Sequence, residues 1–322
     1  MPHSESDLIR AIRERAKRKR GAVAVGIGDD CAVLRPRAGE EMVVTTDLSL
    51  EGTHFLLDRH GPHSVGHRCL ARGLSDVAAM GARPLAAFLS LAAPADTAQK
   101  WIDEFLSGFL ALADRYDTTL AGGDISQSPS GIVADVMVIG SAKRGRAVLR
   151  STARPNDIIY VTGTLGGSAA TLDVLLAGKE PPRSECSQRH FYPEPRVTIG
   201  DFLAKRKLAR AMIDCSDGLS TDLAHICEES GGSAVVNREL IPVAPGASLE
   251  QALHGGEDYE LIFTASPKAK IPVEIEGVPV TEIGWITREQ DRQPGVYLTD
   301  LRTKPQPLEP RGWQHFRDQN VV

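Results

Sequence analysis

The chain has 322 residues, 42% of them hydrophobic and 25% charged, with a net charge of -5. That is enough apolar material for two domains with buried cores, and the negative balance argues against broad electrostatic binding to nucleic acid. Its five cysteines (Cys31, Cys69, Cys186, Cys215 and Cys227) form no C-x-x-C pair and are odd in number, which fits reduced thiols in a cytoplasmic protein better than a disulfide framework or a zinc site. No apolar run approaches the length of a membrane span, and the first residues lack an apolar signal core.

Residues 5–20 read as a helix with Leu8, Ile9 and Ile12 on one face. Its basic end, Arg18-Lys19-Arg20, is read as a solvated terminus that complements the helix dipole rather than as a nucleic-acid patch. The run GIGDDCAVL then sets Asp29 and Asp30 after a glycine pair. An apolar strand at 42–44 delivers Thr45, Thr46 and Asp47 at its C-terminal end, and a short loop leads to His54. Hydroxyls beside carboxylates are hard-oxygen chemistry, suited to magnesium. Turn duty for Asp29 and Asp30 is the competing reading.

Residues 64–80 have helical spacing, with Gly81 as a C-cap and Pro84 as a stop. Asp76 lies on that helix among apolar neighbours, where a carboxylate needs a cation partner. A strand at 86–92 and an amphipathic helix at 100–116 follow. The strand at 118–124 runs into Gly122-Gly123-Asp124, a second carboxylate at a strand end, where glycine lets a phosphate approach the backbone. A strand at 132–140 closes the first half, and the polar stretch 143–146 divides the chain into domains at 1–143 and 144–322.

The second half opens with Arg150, a turn containing Pro155 and a strand at 158–162. The glycine-rich run 163–168 then opens a helix and suits either phosphate binding through free amides or a tight turn. Residues 188–203 read as helical after a proline-interrupted start. A strand at 211–214 ends in Asp214-Cys215-Ser216-Asp217-Gly218, and Gly255-Gly256-Glu257-Asp258-Tyr259 precedes a strand at 261–264. In the tail, Trp313 either docks on its own domain or covers a ring-shaped ligand.

Alternating strands and helices predict an α/β protein of two domains. P-loop, dinucleotide and protein-kinase signatures are all absent. What remains is a set of carboxylates: Asp29, Asp30, Asp47, Asp76, Asp124, Asp214 and Asp217. In one cleft they would repel one another unless divalent cations neutralised them, and the same cations would neutralise a polyphosphate. The physical expectation is a multi-magnesium phosphoryl-transfer site without a P-loop.

The ordered motifs GIGDDCAVL, TTDLSLEGTHF, SDVAAMGARP, AGGDISQSP, LRSTARPND, IDCSDGLSTDL and GGEDYELIF resemble the thiamine-monophosphate kinase family. That family belongs to the aminoimidazole ribonucleotide synthetase-like superfamily, and the resemblance, which spans nearly the whole chain, implies an α/β fold of α+β type with two domains of mixed β-sheet packed with helices. It implies transfer of phosphate from ATP to thiamine monophosphate in a magnesium-dependent homodimer whose first domain binds ATP and metal and forms the dimer, while the second completes the site. By position, Asp30, Thr45, Thr46, Asp47, Asp76, Asp124, Asp214 and Asp217 resemble the family's magnesium ligands. Gly123, Asp124, Arg150 and Ser216 match its ATP contacts, and His54, Glu257 and Trp313 its thiamine contacts. Asp47, Asp76, Asp124 and Arg150 are the implied catalytic group. Ile125 and Ser49-Leu50 depart from the family pattern without removing a ligand.

The rivals within the superfamily are a selenophosphate synthetase and a hydrogenase-maturation enzyme. The chain has no cysteine before Cys31 and ends in Val321-Val322, which disfavours both. A non-catalytic binding scaffold is disfavoured because every expected carboxylate is present.

Overall fold

The computed structural model describes residues 5–16, 21–28, 30–288, 294–300 and 302–313. The chain divides into two compact units, one of residues up to Gly145 and one from Arg146 onward, with Ala78–Gly81 grouped with the second.

The first unit begins with α1 (Glu5–Arg15) and a two-stranded antiparallel pair, β1 (Val23–Val25) and β2 (Val33–Leu34). Its basic continuation, 17–20, lies outside the described residues, as does Asp29. Then come β3 (Glu40–Leu50), α2 (Pro62–Ala79), β4 (Arg83–Ala93), α3 (Gln99–Arg115), β5 (Thr119–Gln127) and β6 (Val133–Lys143). The sheet order is β3-β6-β4-β5, with β6 antiparallel to both neighbours and β4 parallel to β5. The helices carry Leu70, Leu74, Phe105, Phe109 and Leu112, all fully buried. Each such side chain removed from water stabilises by about 1.5–3 kcal/mol before chain entropy is subtracted. The helices cross closely, because a side chain at Gly66 would strike the Phe105 carbonyl and one at Gly108 the His63 carbonyl.

Strand β3 shows the two-residue period of a half-buried strand. Its exposed positions are Met42, Val44, Thr46 and Leu48, and its covered positions Val43, Thr45, Asp47 and Ser49. The strand therefore passes through Thr-Thr-Asp instead of ending before it. Strand β5 likewise runs on past Asp124 to Gln127. The β-branched and apolar residues on both sides of each motif keep the backbone extended.

The second unit starts with a 3-10 turn (Arg150–Thr152), β7 (Ile158–Thr162) and α4 (Gly167–Leu176). Next are α5 (Glu185–Phe191) and α6 (Val197–Lys205), two helices where one was expected, separated by Pro193 and Pro195. They are followed by β8 (Met212–Asp214), α7 (Leu219–Ser230), β9 (Ser233–Asn237), α8 (Leu249–His254) and β10 (Leu261–Ala265). The chain closes with β11 (Glu274–Ile275), β12 (Val278–Thr287), β13 (Gly295–Thr299) and β14 (Gln306–Leu308). The sheet order is β14-β13-β9-β12-β7-β10-β8, with β11 on the side of β12. Among the described strands of this sheet only β9 and β13 pair in parallel, so it is mixed too. Its core includes Ile159, Val161, Ile213, Leu219, Leu223, Ile226 and Ile283.

One buried polar knot holds the base of the second unit. The Glu260 carboxylate, fully buried, takes bonds from Arg196 Nε and Nη2, from Arg189 at 2.7 Å and from the Thr162 hydroxyl at 2.6 Å. A buried charge needs this degree of satisfaction, and removing either arginine would leave it short of donors.

Candidate active site

In the first unit, the covered face of β3 meets α2. Thr45 donates its hydroxyl to Asp76 Oδ2, in a short hydrogen bond. Two residues on, Asp47 Oδ1 lies 3.7 Å from Arg72 Nε, one helical turn before Asp76. Among the described residues, Asp47 Oδ2 is a buried oxygen with no hydrogen-bond partner. Burial, followed by the neighbouring Asp76 charge, pushes the Asp47 carboxyl up to about 7 despite Arg72. A carboxylate so placed is short of positive charge.

Thr46 faces the other way, exposed on the side of the sheet opposite α2. Asp124 is exposed at the opposite edge strand, where a register shift in the β4–β5 pairing skips Ala121 just before Gly122-Gly123-Asp124. Such a bulge re-aims the side chains that follow it. Gly123 has φ +148°, and a Cβ there would sit 1.8 Å from the Leu89 carbonyl oxygen, so no other residue fits. Asp47, Val136, Leu89 and Gly123 form one row across the four strands. Three strand spacings, roughly 14 Å, thus separate the Asp47 and Asp124 edges. Asp30 is exposed after the β1 strand, which packs beside β5 through Val23 and Ala121.

His54 is half-buried in the loop after β3. Its Nδ1 accepts the Leu50 backbone N–H at 3.0 Å, and its carbonyl accepts from Arg68 at 3.2 Å. A ring nitrogen that accepts an amide proton carries none itself, so the neutral ring keeps its proton on Nε2.

In the second unit, Asp214 ends β8 and is buried opposite Leu261. The following loop, with half-buried Ser216 and Asp217, is gathered by one side chain that the sequence reading did not single out. Asp222 Oδ2 accepts from the backbone N–H of Ser216 (3.1 Å), Asp217 (3.0 Å) and Gly218 (2.9 Å). Burial, then the charges of Asp214 and Asp217, raises the Asp222 carboxyl well above its ordinary range. The available signal was its place in the first turn of the helix after Gly218, where an acidic residue meets unpaired amides.

The Glu257 loop lies directly on this one. The Glu257 N–H bonds the Ser216 carbonyl at 2.8 Å, and the Tyr259 N–H bonds Cys215 at 2.9 Å. Glu257 and Tyr259 have φ of +63° and +51°, left-handed conformations unusual for such residues. A Cβ at Gly256 would lie 2.4 Å from the Ser216 carbonyl oxygen, so glycine permits the approach. Trp313, 37% exposed, joins the same cluster through its backbone N–H, which donates to the Asp217 carbonyl at 3.2 Å. Ser216, Asp217, Glu257 and Trp313 are therefore brought together.

Arg150 is not part of that cluster. Its carbonyl accepts from Ser230 at the last residue of α7, whereas Ser216 and Asp217 precede the first. About 16 Å of helix lies between those ends. The glycine run before α4 is also occupied from within, because Asp258 accepts from the N–H groups of Gly166 (2.6 Å) and Ser168 (3.2 Å). Of the two readings of that run, the turn is the one the bonds describe.

Carboxylate and hydroxyl oxygens make up every expected metal ligand, and the electron-rich Asp47–Asp76 pair fits a hard divalent cation. Among the described residues, no three His, Cys, Asp or Glu side chains form a group that could by itself hold a metal ion. No helix among them is long and apolar enough to cross a membrane.

Two units of mixed sheet, with acidic and hydroxyl side chains on strands and on the loops that follow them, are the architecture of the AIR synthase related proteins. The N-terminal domain of that class matches residues 28–142 and its C-terminal domain residues 154–296. The thiamine-monophosphate kinase of Bacillus subtilis (strain 168) is 36% identical over 328 residues, spanning 97% of this chain and 99% of that protein. The crystal structure of thiamine-monophosphate kinase from Stenotrophomonas maltophilia K279a matches with a TM-score of 0.81 and 37% identity, over 92% of this chain and 97% of that one. A structure of AaThiL complexed with AMPPCP and TMP matches with a TM-score of 0.78 and 30% identity, over 97% of each chain. The chain belongs to the thiamine-monophosphate kinase family.

Proposed function

We propose that the chain phosphorylates thiamine monophosphate to thiamine diphosphate by direct in-line transfer from ATP, as a magnesium-dependent, cytoplasmic homodimer. The observation that carries this reading is the buried Asp47 Oδ2 beside Asp76, which has no hydrogen-bond partner among the described residues, in a chain of this family. Asp30, Thr45, Thr46, Asp47, Asp76, Asp124, Asp214 and Asp217 are the residues that would hold magnesium. Bound there, the metal would neutralise phosphate charge and polarise the transferring group.

The chain's own groups have positioning work to do. The acceptor is a phosphate oxygen, anionic near neutral pH, so no base has to remove a proton from it. Gly123 offers ATP a bare stretch of backbone, and Ser216 a hydroxyl. Arg150 can pair with a phosphate through two parallel bonds, at a different contact from that of Ser216. His54, with Nδ1 already engaged, is a donor from Nε2 and not a base. The thiazolium ring is cationic, which suits an indole face and a carboxylate, Trp313 and Glu257. No phospho-enzyme is required.

Two features favour the homodimer. The face of the first sheet opposite α2 exposes Met42, Val44, Leu48 and Met137, an apolar strip on the edge strand β3 and its neighbour β6. Thr46 and Asp124 are exposed at opposite edges of the same sheet. A second copy laid on that face by a two-fold axis would cover the strip and set one copy's β5 edge near the other's β3 edge. Cytoplasmic residence is favoured by five cysteines, none of them in a disulfide.

The test is ADP release from ATP with magnesium, with thiamine monophosphate, thiamine or neither as acceptor. The expected outcome is turnover with the monophosphate alone, abolished by EDTA and restored by magnesium. Turnover with free thiamine would overturn the requirement for an anionic acceptor, and turnover with neither acceptor or in EDTA would overturn the reaction.

A further inference from the structure

We propose that Asp222 is a positioning residue that sets both thiamine-side residues, Glu257 and Trp313, through the peptide groups of Ser216 and Asp217. This rests on the reading above that Glu257 and Trp313 meet the thiamine end.

The link follows from peptide geometry. A trans peptide is planar, and its C=O and N–H point in opposite directions. The carbonyl of Ser216 and the N–H of Asp217 belong to one plane, and the carbonyl of Asp217 and the N–H of Gly218 to the next. Asp222 Oδ2 draws both N–H groups inward, at 3.0 and 2.9 Å. Both carbonyls must then point away from it. The first receives the Glu257 N–H and the second the Trp313 N–H. Each Asp222 bond therefore fixes one docking carbonyl.

Glu257 needs this support more than an ordinary loop residue does. Its left-handed backbone persists only where neighbours over-determine it. Trp313 has a second anchor, since the Gly312 N–H donates to Thr221 Oγ1 at 3.1 Å. Asp222 itself is 2% exposed and enters from inside α7, because the helix has Gly218 at its N-cap and no capping side chain there. A residue that only ended the helix would need to bond one or two amides. Asp222 bonds three in succession, and two of them carry the docking planes.

The test compares the wild type with Asp222→Asn, which keeps an acceptor oxygen in place, and Asp222→Ala, which keeps none. In the wild type, the amides of Ser216, Asp217, Gly218, Glu257 and Trp313 are expected to exchange slowly with deuterium. In the Ala variant all five should lose protection together, and KM for thiamine monophosphate should rise at least about tenfold. The Asn variant should stay within about threefold of the wild type. A purely structural role would instead lower the melting temperature of the Ala variant and leave KM and the exchange at Glu257 and Trp313 unchanged, which overturns the proposal. If the Ala variant does not fold, wild-type exchange decides: open-loop rates at 216–218 are equally fatal. Trp313→Ala and Glu257→Gln are made in parallel. Should they leave KM unchanged while Asp222→Ala still frees the Glu257 and Trp313 amides, the thiamine reading fails and the coupling stands.

Discussion

The two units use aspartate in opposite ways. In the first, Asp47 has one buried oxygen that accepts nothing among the described residues, and burial together with Asp76 lifts its carboxyl to about 7. In the second, Asp222 and Asp258 are lifted by burial as well, yet they collect five backbone N–H groups between them. Burial is common to all three, and what differs is who fills the lone pairs. A carboxylate left short of donors has affinity to spare for a cation, whereas one saturated by amides has spent it on holding a loop. Acidic residues in a motif are thus sorted by their donors more reliably than by their spacing.

The largest effect that would sharpen this contrast is expected at Asp47. Asp47→Asn should cut kcat/KM by roughly 10² to 10³, the range for loss of one charge-stabilising group. Stability without metal should hold or rise, since the change removes a buried, underpaired charge. Steady-state kinetics and thermal melts in EDTA check both halves. A variant that loses stability but keeps activity would place Asp47 with the scaffolding aspartates and break the contrast.

An intermediate effect is expected at the exposed face of the same sheet. Val44 is 59% exposed there, although a strand valine is ordinarily covered. Val44→Glu should shift the sedimenting species from the proposed dimer to monomer and reduce activity about tenfold or more, without loss of secondary structure. A variant that remains dimeric would show that this strip is not the interface.

How much of this was legible in the sequence depends on the scale of the cause. Helix spacing and caps are local, so α2 and α3 were readable within one or two residues. The ends of β3 and β5 were not, because Thr-Thr-Asp and Gly-Gly-Asp look like turn chemistry until their flanks pair with β6 and β4. That pairing separates Thr46 from Thr45 and Asp47, and Asp124 from Asp47, which no motif spacing encodes. Trp313 and Asp217 are 96 residues apart, and a backbone bond between them leaves no side-chain signature. Asp222 stood inside a quoted motif, but its role appears only once three amides are seen to converge on it. The Gly163–Gly166 stretch was readable as a phosphate loop or a tight turn, and the carboxylate that answers its amides comes from Asp258, 92 residues after Gly166.

The smallest effect concerns Asp258, and it tests the saturated side of the contrast. Its carboxyl titrates near 7 in the folded chain against 3.8 as the ordinary value, raised by burial in spite of the amides of Gly166 and Ser168. A raised carboxyl pKa means that the folded state binds the proton more tightly than the unfolded chain does. Its stabilising contribution is therefore complete below about 4 and lost as pH rises through about 7. Asp222 adds to the same trend, since its carboxyl is raised too. Asp258→Asn keeps an acceptor for one amide and removes the titration. The wild type should thus lose several degrees more in melting temperature than this variant between pH 5 and pH 8, both measured in EDTA. Parallel curves for the two proteins would mean that the amides hold Asp258 ionised throughout. The second unit's carboxylates would then be better compensated than their burial implies, and the contrast with Asp47 would be wider still.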